Sequence, residues 1–344
     1  MAEAAALLVP ELRAAGRYGL LIADENCLTF PFTELPEGQA VLTNRYDIAE
    51  QAKRAPLDVH FSDFDTSPWS NATLELIAYR ISKEKSVVHH IANQAALRLV
   101  PGGQLLLVGG KQEGIKTFAK TIGDLLGGTT TTEKFGALYR VTIERDRATP
   151  DQWLDDHHYH DLREIFRLNG KAVLSKPGLY GWNKEDEGSA LLADNLTSFF
   201  DSIDRQPESL LDMGCGYGYL SLKAAAIRPL TITATDNCAA AIMACEQNFK
   251  VHGIRGQVVA DDCGASIRHT FDTVVCNPPF HQGFQEDRRL TEKFLSQTRR
   301  LLRPGGRALF VVNGFVPLEK LAERWFQRIR VPVNTGRFKL VSLG

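Results

Sequence analysis

The sequence predicts an α/β fold built as two tandem domains, each a doubly wound, mostly parallel sheet with helices on both faces. Three observations predict it. The 344 residues exceed one typical domain, short apolar runs alternate with helical patterns, and a glycine-rich turn joins an apolar run to a helix within 209–226. We expect a first domain at 1–150, a linker at 151–170 and a second domain at 171–344.

An internal repeat relates the two predicted domains. The segment Leu99-Val-Pro-Gly-Gly-Gln-Leu-Leu-Leu-Val108 corresponds to Leu302-Arg-Pro-Gly-Gly-Arg-Ala-Leu-Phe-Val311. Each copy follows a helical pattern, near 91–100 and 292–302, and Pro-Gly-Gly favours a helix end before an apolar strand. The repeat indicates duplication of one α/β unit. Only the second unit contains a glycine-rich loop, so we expect the first to be degenerate and without a cofactor site.

The composition is that of an ordinary globular protein, with 44% hydrophobic and 24% charged residues. The six cysteines form neither a Cys-x-x-Cys pair nor a zinc-like spacing with histidine, so we expect reduced thiols and no metal. His157, His158 and His160 lie in the acidic linker, where an exposed helix start explains them better than metal ligation. We expect a cytoplasmic protein, because leader patterns and apolar runs of about 20 residues are missing.

A glycine-rich loop follows the first strand of the second domain. Residues 209–218 read Ser-Leu-Leu-Asp-Met-Gly-Cys-Gly-Tyr-Gly, and a helix is predicted at about 219–226. Gly214, Gly216 and Gly218 have no Cβ atom, so the backbone can turn tightly and approach a ligand closely. Their G-x-G-x-G spacing differs from the G-x-G-x-x-G of dinucleotide-binding domains, which makes NAD a poor candidate.

Acidic residues follow the next two predicted strands. Asp236, with Asn237 beside it, follows the strand at 230–235, where a carboxylate accepts from both hydroxyls of a ribose. Asp261 and Asp262 follow the next strand. Taken singly, each acid is better explained as a helix cap or turn residue than as a ligand-binding group. Their order after the glycine loop is what favours a nucleoside-binding site.

The most informative motif is Asn277-Pro278-Pro279-Phe280, which follows the predicted strand 271–276 and its apolar run Val274-Val275-Cys276. Two consecutive prolines cannot donate to a sheet ladder, so the strand ends at the edge where α/β sheets bind ligands. We expect the Asn277 side chain and the Pro278 carbonyl to accept from a planar amine, and Phe280 to stack on its ring. Asn-Pro-Pro alone is also compatible with a simple turn. In this context it favours methyl transfer to an amine.

The glycine spacing resembles the S-adenosylmethionine loop of class I methyltransferases, and the second domain resembles those with an Asn-Pro-Pro-Phe/Tyr signature. The whole chain resembles the RsmC family of bacterial ribosomal RNA guanine-N2 methyltransferases. Residues 176–192, 277–283 and 334–339 extend the match beyond the shared core. The resemblance implies two tandem class I, Rossmann-like methyltransferase domains, of which the N-terminal one is degenerate and assists folding and RNA binding.

The resemblance also implies roles for the site residues. Asp212 would bind the amino group of the methionine moiety, and Asp262 would accept from the adenine amine, although related sequences often have Asn there. The implied cofactor-binding residues are Asp212, Gly214, Gly216, Gly218, Asp236, Asn237, Asp262 and Asn277. The implied catalytic residues are Asn277, Pro278, Pro279 and Phe280. The implied reaction is methylation of the exocyclic N2 of one guanosine in small-subunit (16S) ribosomal RNA, presented as RNA or as the 30S subunit.

Four other functions remain open from the sequence. Large-subunit ribosomal RNA guanine, N6-adenine and protein-glutamine methyltransferases share the tetrapeptide. The glutamine enzymes usually have Tyr in place of Phe and a differently built N-terminal domain. A catalytically inactive RNA-binding assembly factor is the non-enzymatic alternative, and intact Asp212, Asp236 and Asn277 argue against it.

Charge is distributed unevenly along the chain, although the net charge is only −1. Residues 288–344 contain 13 Lys and Arg against 3 Asp and Glu. A basic stretch after a candidate base-binding site favours a polyanionic partner such as RNA. A solvated helix face balanced by acidic residues elsewhere explains the charge alone equally well.

Overall fold

The computed structural model describes residues 4–148, 150, 152–279 and 284–344, with the backbone alone for 284–287. The chain divides into two compact units, Met1–Asp161 and Leu162–Gly344. The division falls inside 151–170, the predicted linker. Part of that segment is a strand of the second unit, because residues 163–168 pair with 171–175 in an antiparallel hairpin.

The first unit alternates strands with helices, as an α/β domain does. Its helices are α1 (Val9–Ala15), α2 (Tyr46–Ala52), α3 (Lys85–Arg98) and α4 (Ile115–Leu126). Its strands are β1 (Gly19–Ala23), β2 (Ala40–Thr43), β3 (Asp58–Phe61), β4 (Leu74–Arg80), β5 (Leu99–Gly110), β6 (Gly127–Phe135) and β7 (Leu138–Arg145). Short 3-10 turns join several of these elements.

The second unit begins with the hairpin and then repeats the same order. Its helices are α5 (Glu187–Asp194), α6 (Leu196–Asp201), α7 (Tyr219–Ile227), α8 (Ala239–His252), α9 (Phe284–Leu301) and α10 (Leu318–Ala322). Its strands are β8 (Arg163–Leu168), β9 (Lys171–Ser175), β10 (Ser209–Met213), β11 (Thr231–Asp236), β12 (Gly256–Ala260), β13 (Phe271–Cys276), β14 (Leu302–Asn313), β15 (Ile329–Asn334) and β16 (Phe338–Leu343).

Both large sheets have the same strand order within the described residues. The order is β3-β2-β1-β4-β5-β7-β6 in the first unit and β12-β11-β10-β13-β14-β16-β15 in the second. The first five strands of each sheet are parallel to one another. The sixth strand in the order, β7 or β16, pairs antiparallel with both of its neighbours. Identical order in both sheets confirms the predicted tandem α/β architecture. The strand order reverses direction beside β10, the point at which such sheets bind ligands.

The central strands are buried on both faces. Leu210, Leu211, Val274 and Val275 are fully inaccessible to solvent. Helices cover both faces, so neighbouring residues that point to opposite faces, such as Leu210 and Leu211 or Val274 and Val275, are both apolar. Burying each such side chain contributes about 1.5–3 kcal/mol. This core holds the carboxyl ends of the strands rigidly against one another.

The Pro-Gly-Gly segments are part of long strands, in contrast to the predicted stop between helix and strand. The ladder of β14 already begins at Leu302, which pairs with Phe271, and then shifts register before Thr273 pairs with Arg307. Gly305 has a φ of 80°, and the equivalent Gly102 has the same value. The glycines absorb a bulge in the strand, which explains why both copies retain them.

Among the described helices, none combines the length and apolar character that crossing a bilayer requires. The six cysteines are all free thiols.

Candidate active site

The predicted site residues converge because four neighbouring strands end at one edge of the second sheet. Met213 is level with both Thr235 and Cys276, and Asp236 is level with Ala260. The residues that follow these ends are therefore adjacent in space although they are spread over 65 positions of sequence, from Asp212 to Asn277. The edge brings together the glycine loop, both acidic positions and the Asn-Pro-Pro motif.

The glycine loop is held against the end of β11 by backbone hydrogen bonds. The amides of Gly214 and Cys215 both donate to the Thr235 carbonyl, at 2.8 and 3.0 Å. Gly216 has a φ of 53°, and a Cβ built there meets no described atom within 4 Å. A Cβ on Gly218, with a φ of 89°, lies 2.8 Å from Cys245 Sγ. Gly216 therefore leaves open space for a ligand, whereas Gly218 permits close packing on α8.

Asp212 is fully buried beneath the loop. Its Oδ2 accepts from the amide and hydroxyl of Ser221, at 3.0 and 2.6 Å, and so fixes the start of α7. Its buried Oδ1 has no hydrogen-bond partner among the described residues. Burial raises the pKa of this carboxyl to about 6, and the charge of Asp236 adds to the rise while Ser221 opposes it. This oxygen can therefore accept a hydrogen bond from a ligand.

Asp236 links the glycine loop to the start of α8. Its Oδ2 accepts from the Gly216 amide at 2.9 Å, and its Oδ1 accepts from the Cys238 amide at 2.9 Å. Each carboxylate oxygen has a second lone pair, so the group can still accept from two hydroxyls. Asn237 lies beside it and is partly buried.

The adjacent acids Asp261 and Asp262 have different environments. Asp261 is buried, and its Oδ2 accepts from the amide and hydroxyl of Ser266, which closes the turn after β12. Asp262 is more accessible and forms an ion pair with Lys293 of α9. Asp262 is thus the more accessible of the two, and its contact with the adenine amine, which the family resemblance implied, stays a prediction. The Lys293 ammonium is a competitor for this carboxylate that the sequence did not predict.

The orientation of Asn277 is fixed by two residues of the α5 N-terminus. Its Nδ2 donates to Asp186 Oδ2 at 2.9 Å and to Ser189 Oγ at 2.8 Å. A carboxylate only accepts, so the amide nitrogen must face Asp186. The same Asp186 oxygen caps α5 by accepting from the Ser189 amide at 2.8 Å. With both amide protons engaged, the Asn277 oxygen remains as the acceptor.

The two prolines differ in exposure: Pro278 is buried and Pro279 is exposed. Pro278 thus anchors the turn after β13, and Pro279 faces solvent. Phe280, predicted as the stacking residue, lies outside the described residues.

A buried asparagine supports the glycine loop from behind. Asn248 of α8 is fully buried. Its side chain binds both the amide and the carbonyl of Leu174 at 2.8 Å and donates to the Tyr217 carbonyl at 2.7 Å. All three contacts are to backbone atoms, so Asn248 connects the hairpin strand β9 to the loop.

Part of the predicted basic surface is used internally. Arg300 donates to the carbonyls of Gly264 and Ile267, at 2.6 and 2.7 Å, and Arg303 pairs with Asp272 at 2.8 Å. Other cations of 288–344 pair with carboxylates: Lys293 with Asp262, Arg337 with Glu187 and Lys339 with Glu319. The net positive charge of this stretch therefore overstates the cations that are available to a polyanion.

Equivalent positions in the first unit carry different chemistry. Tyr79 pairs with Leu107, and Cys276 pairs with Phe310, which occupies the position of Leu107 in the repeat. With this alignment, the positions of Asp212, Asp236 and Asn277 are occupied by Leu21, Thr43 and Arg80. Arg80 is directed into an ion pair with Glu113 at 2.6 Å. The first unit is therefore degenerate at each of these three positions.

Sequence reasoning assigned no role to Asp186, Ser189, Asn248 and Lys293. Asp186 and Ser189 do have a local signal, an acid three residues before a serine at a helix start, but that pattern predicts only a cap. Their contact with Asn277 depends on how α5 packs against the end of β13. In the described residues, no group of three or more His, Cys, Asp or Glu side chains is arranged to hold a metal ion.

The fold and the site define a class I methyltransferase, and comparison with known proteins specifies which family. The model of the methyltransferase small domain matches residues 170–342, and the model of its N-terminal domain matches 20–156. The chain is 30% identical over 322 residues to the ribosomal RNA small subunit methyltransferase C of Pseudomonas aeruginosa, covering 90% of each. It is 25% identical over 305 residues to that of Shewanella loihica, covering 87% of this chain and 84% of the relative.

One solved structure shares the architecture of the whole chain. It is the T. thermophilus 16S rRNA N2 G1207 methyltransferase (RsmC) in complex with AdoMet and guanosine. The TM-score is 0.79 at 20% identity, and the match covers 94% of this chain and 87% of the other. The chain belongs to the ribosomal RNA small subunit methyltransferase C family. The predicted family and the tandem methyltransferase fold are confirmed.

Proposed function

We propose that this protein transfers a methyl group from S-adenosyl-L-methionine to the exocyclic N2 of a guanosine in small-subunit (16S) ribosomal RNA. The orientation of Asn277 is the observation that carries the proposal. Its amide nitrogen is held by Asp186 and Ser189, so its oxygen faces away as a fixed acceptor. A fixed acceptor at this edge suits a substrate that donates N–H, such as an aromatic amine.

The residues at the strand ends fit the cofactor. The space above Gly216 admits a ligand against the loop, and the buried Asp212 Oδ1, without a hydrogen-bond partner among the described residues, can accept from the methionine amino group. Asp236 has lone pairs left for the ribose hydroxyls, and Asp262 has an oxygen for the adenine amine. Since Asp212 is fully buried, we assign its contact to the methionine amino group through a small rearrangement or a bridging water.

Catalysis then depends on orientation. The cofactor supplies a methyl group on a positively charged sulfur. The Asn277 oxygen and the Pro278 carbonyl accept hydrogen bonds from the two N–H groups of the guanine amine. These contacts reduce conjugation of the nitrogen lone pair with the ring and direct the lone pair at the methyl carbon. A strong general base is not required, because the methylated nitrogen is acidic enough to lose its proton to water.

The choice of guanine in the small subunit rests on the family. The curated relatives are named for the small-subunit ribosomal RNA, and the T. thermophilus protein is described as acting on N2 of G1207. The match includes the N-terminal domain of the family and extends over 90% of the P. aeruginosa relative. Cytoplasmic location follows from a ribosomal substrate and is part of the proposal.

A transfer assay separates this proposal from its rivals. Small and large ribosomal subunits from a strain lacking the enzyme are incubated with cofactor labelled in the methyl group, and the nucleosides and proteins are then analysed. We expect labelled N2-methylguanosine in the small subunit. Label in the large subunit, in N6-methyladenosine or in protein glutamine would replace the proposal with the corresponding alternative. Cofactor binding without any transfer would favour an assembly factor.

A further inference from the structure

Two aromatic side chains near the site are unusually exposed. Tyr180 is 68% exposed and Phe315 is 77% exposed, the highest values among the large hydrophobic residues of the described chain. Large apolar side chains in solvent forgo the stabilisation that burial provides, so they often mark binding surfaces. Both residues lie in the second unit, and the contacts below place them near Asn277.

Phe315 is held at the sheet edge by the C-terminal hairpin. It follows β14, whose Phe310 is level with Cys276, the residue before Asn277. The preceding Gly314 donates its amide to the Arg337 carbonyl at 2.7 Å. A Cβ at Gly314 would overlap the Gly336 carbonyl, so the backbones approach as closely as glycine permits. This contact fixes Phe315 beside Arg337.

Tyr180 and Arg337 are connected to the catalytic asparagine through the start of α5. The Arg337 guanidinium pairs with Glu187, the first residue of α5, which adjoins Asp186, the partner of Asn277. Tyr180 lies in the loop that leads into α5. Burial and the nearby Asp186 charge raise the pKa of Tyr180, while Arg337 opposes the rise, so the phenol lies within the field of both groups.

Arg337, whose backbone carbonyl accepts from the Gly314 amide beside Phe315, can bind phosphate. The Arg337 guanidinium lies over the Phe338 ring, 5.2 Å from its centroid. Its ion pair with Glu187 is between largely exposed groups, 69% and 63% accessible, and such pairs contribute about 0–1 kcal/mol. A phosphate group can therefore compete for this arginine. We call Tyr180, Arg337 and Phe315 the aromatic rim.

We propose that the aromatic rim binds the unpaired nucleotides that flank the target guanine, with Tyr180 and Phe315 stacking on their bases and Arg337 binding the backbone between them. This inference rests on the proposed RNA substrate. A guanine presented to Asn277 must leave its stack, which exposes the faces of its neighbours. Aromatic side chains interleaved with arginine are the usual platform for such unpaired bases.

The test measures RNA affinity with rim variants. Tyr180→Leu, Phe315→Leu and the double variant retain apolar volume and lose the ring face, and Phe135→Leu, at a 40% exposed aromatic of the first unit, is the matched control. The probe is a fluorescent single-stranded RNA of about ten nucleotides with one central guanine. We expect each rim substitution to weaken binding about five- to 150-fold, since one stacked base contributes that much. Affinity for S-adenosylmethionine, measured by calorimetry, should remain within twofold.

Arg337→Gln supplies a second readout. A phosphate contact to a single strand changes the slope of log affinity against log salt by about 0.7, and the variant should lose that amount. Wild-type RNA affinity in the double aromatic variant would overturn the inference. Normal binding of naked RNA by this variant, together with loss of methyl transfer to the assembled subunit, would also overturn the inference, because the rim would then contact a ribosomal protein. Failure of the wild-type enzyme to methylate small ribosomal subunits would instead overturn the proposed function.

Discussion

The Nδ2 of Asn277 lies 2.9 Å from Asp186 Oδ2, across 91 residues of sequence. Since the Asp186 oxygen also caps α5, a single carboxylate both starts a helix and sets the direction of the Asn277 amide. Ser189 Oγ takes the second proton of the amide at 2.8 Å. An asparagine without these partners could rotate by 180° and present its NH2 group to the substrate. We therefore predict that the pair acts on catalysis by positioning Asn277.

Capping and positioning by Asp186 can be separated by substitution. Serine is an effective helix cap but is too short to reach Asn277, so Asp186→Ser should retain most of the stability while the Asn277 amide loses its constraint. We expect kcat to fall about 10- to 100-fold with little change in cofactor affinity, by comparison with the loss of one preorganised group. Ser189→Ala should show a smaller decrease. Unchanged kcat in the Asp186→Ser variant, at normal melting temperature, would show that the contact is structural only.

The glycine loop offers a pair of contrasting substitutions. Gly216→Ala places a methyl group in the space assigned to the cofactor, so we expect the protein to fold and its S-adenosylmethionine affinity to fall at least tenfold. Gly218→Ala places its methyl group 2.8 Å from Cys245 Sγ, so stability should fall by about 2 kcal/mol or more. Both positions have positive φ, so each variant also carries about 1 kcal/mol of backbone strain. Calorimetry and urea unfolding measure the two effects, and equal behaviour of the two variants would contradict this division.

The two acids after β12 should respond differently to removal. Asp262→Ala removes the acceptor assigned to adenine, and we expect about a tenfold loss of S-adenosylmethionine affinity with little change in stability. Asp261→Ala removes the acceptor of the Ser266 turn and should lower stability instead. Lys293→Met frees Asp262 from its ion pair and should leave cofactor affinity equal or higher. Weaker binding in the Lys293 variant would show that the lysine itself contacts the cofactor.

The buried carboxyl of Asp212 predicts a specific pH dependence. Its folded-state pKa of about 6 is above the ordinary value of 3.8, so the folded state binds the proton more tightly than the unfolded state does. Its contribution to the free energy of unfolding therefore decreases as pH rises from about 4 to 6, and is constant above that range. The expected change is about 3 kcal/mol.

Urea unfolding of the wild type and of Asp212→Asn across pH 4–7 measures this dependence. Other buried carboxyls, such as Asp24 with a pKa raised by burial to about 7, titrate in both proteins and cancel in the difference. The difference should follow the Asp212 titration. A difference that is independent of pH would mean that Asp212 ionises normally in the folded protein.

The features that sequence predicted are those that depend on local chemistry. The apolar residues Val274, Val275 and Cys276 precede Asn277 and two prolines, which predicted a strand end there, and β13 ends at Cys276. The glycine loop predicted a helix that starts near residue 219, and α7 begins at Tyr219. The order of these motifs placed Asp236 and Asn277 at one edge, because parallel strands of an α/β sheet end together.

The features that sequence missed depend on packing between distant segments. The contact between Asp186 and Asn277 requires α5 to lie against the end of β13, and a capping pattern carries no information about its neighbours. The repeat was visible at Pro101 and Pro304, yet its glycines absorb strand bulges, which only the pairing register reveals. The catalytic set of Asn277, Pro278, Pro279 and Phe280 stays a prediction, and Phe280 lies outside the described residues.

Methyl transfer by Asn277→Ala in a single turnover tests the central claim most directly. Small subunits lacking the modification are mixed with excess enzyme and labelled S-adenosylmethionine, and calorimetry gives the cofactor affinity of the same preparation. We predict that the rate of transfer falls at least 100-fold while cofactor affinity changes less than about threefold, because the amide oxygen orients the amine. A transfer rate within tenfold of the wild type would contradict the assignment of Asn277 as the acceptor that drives catalysis.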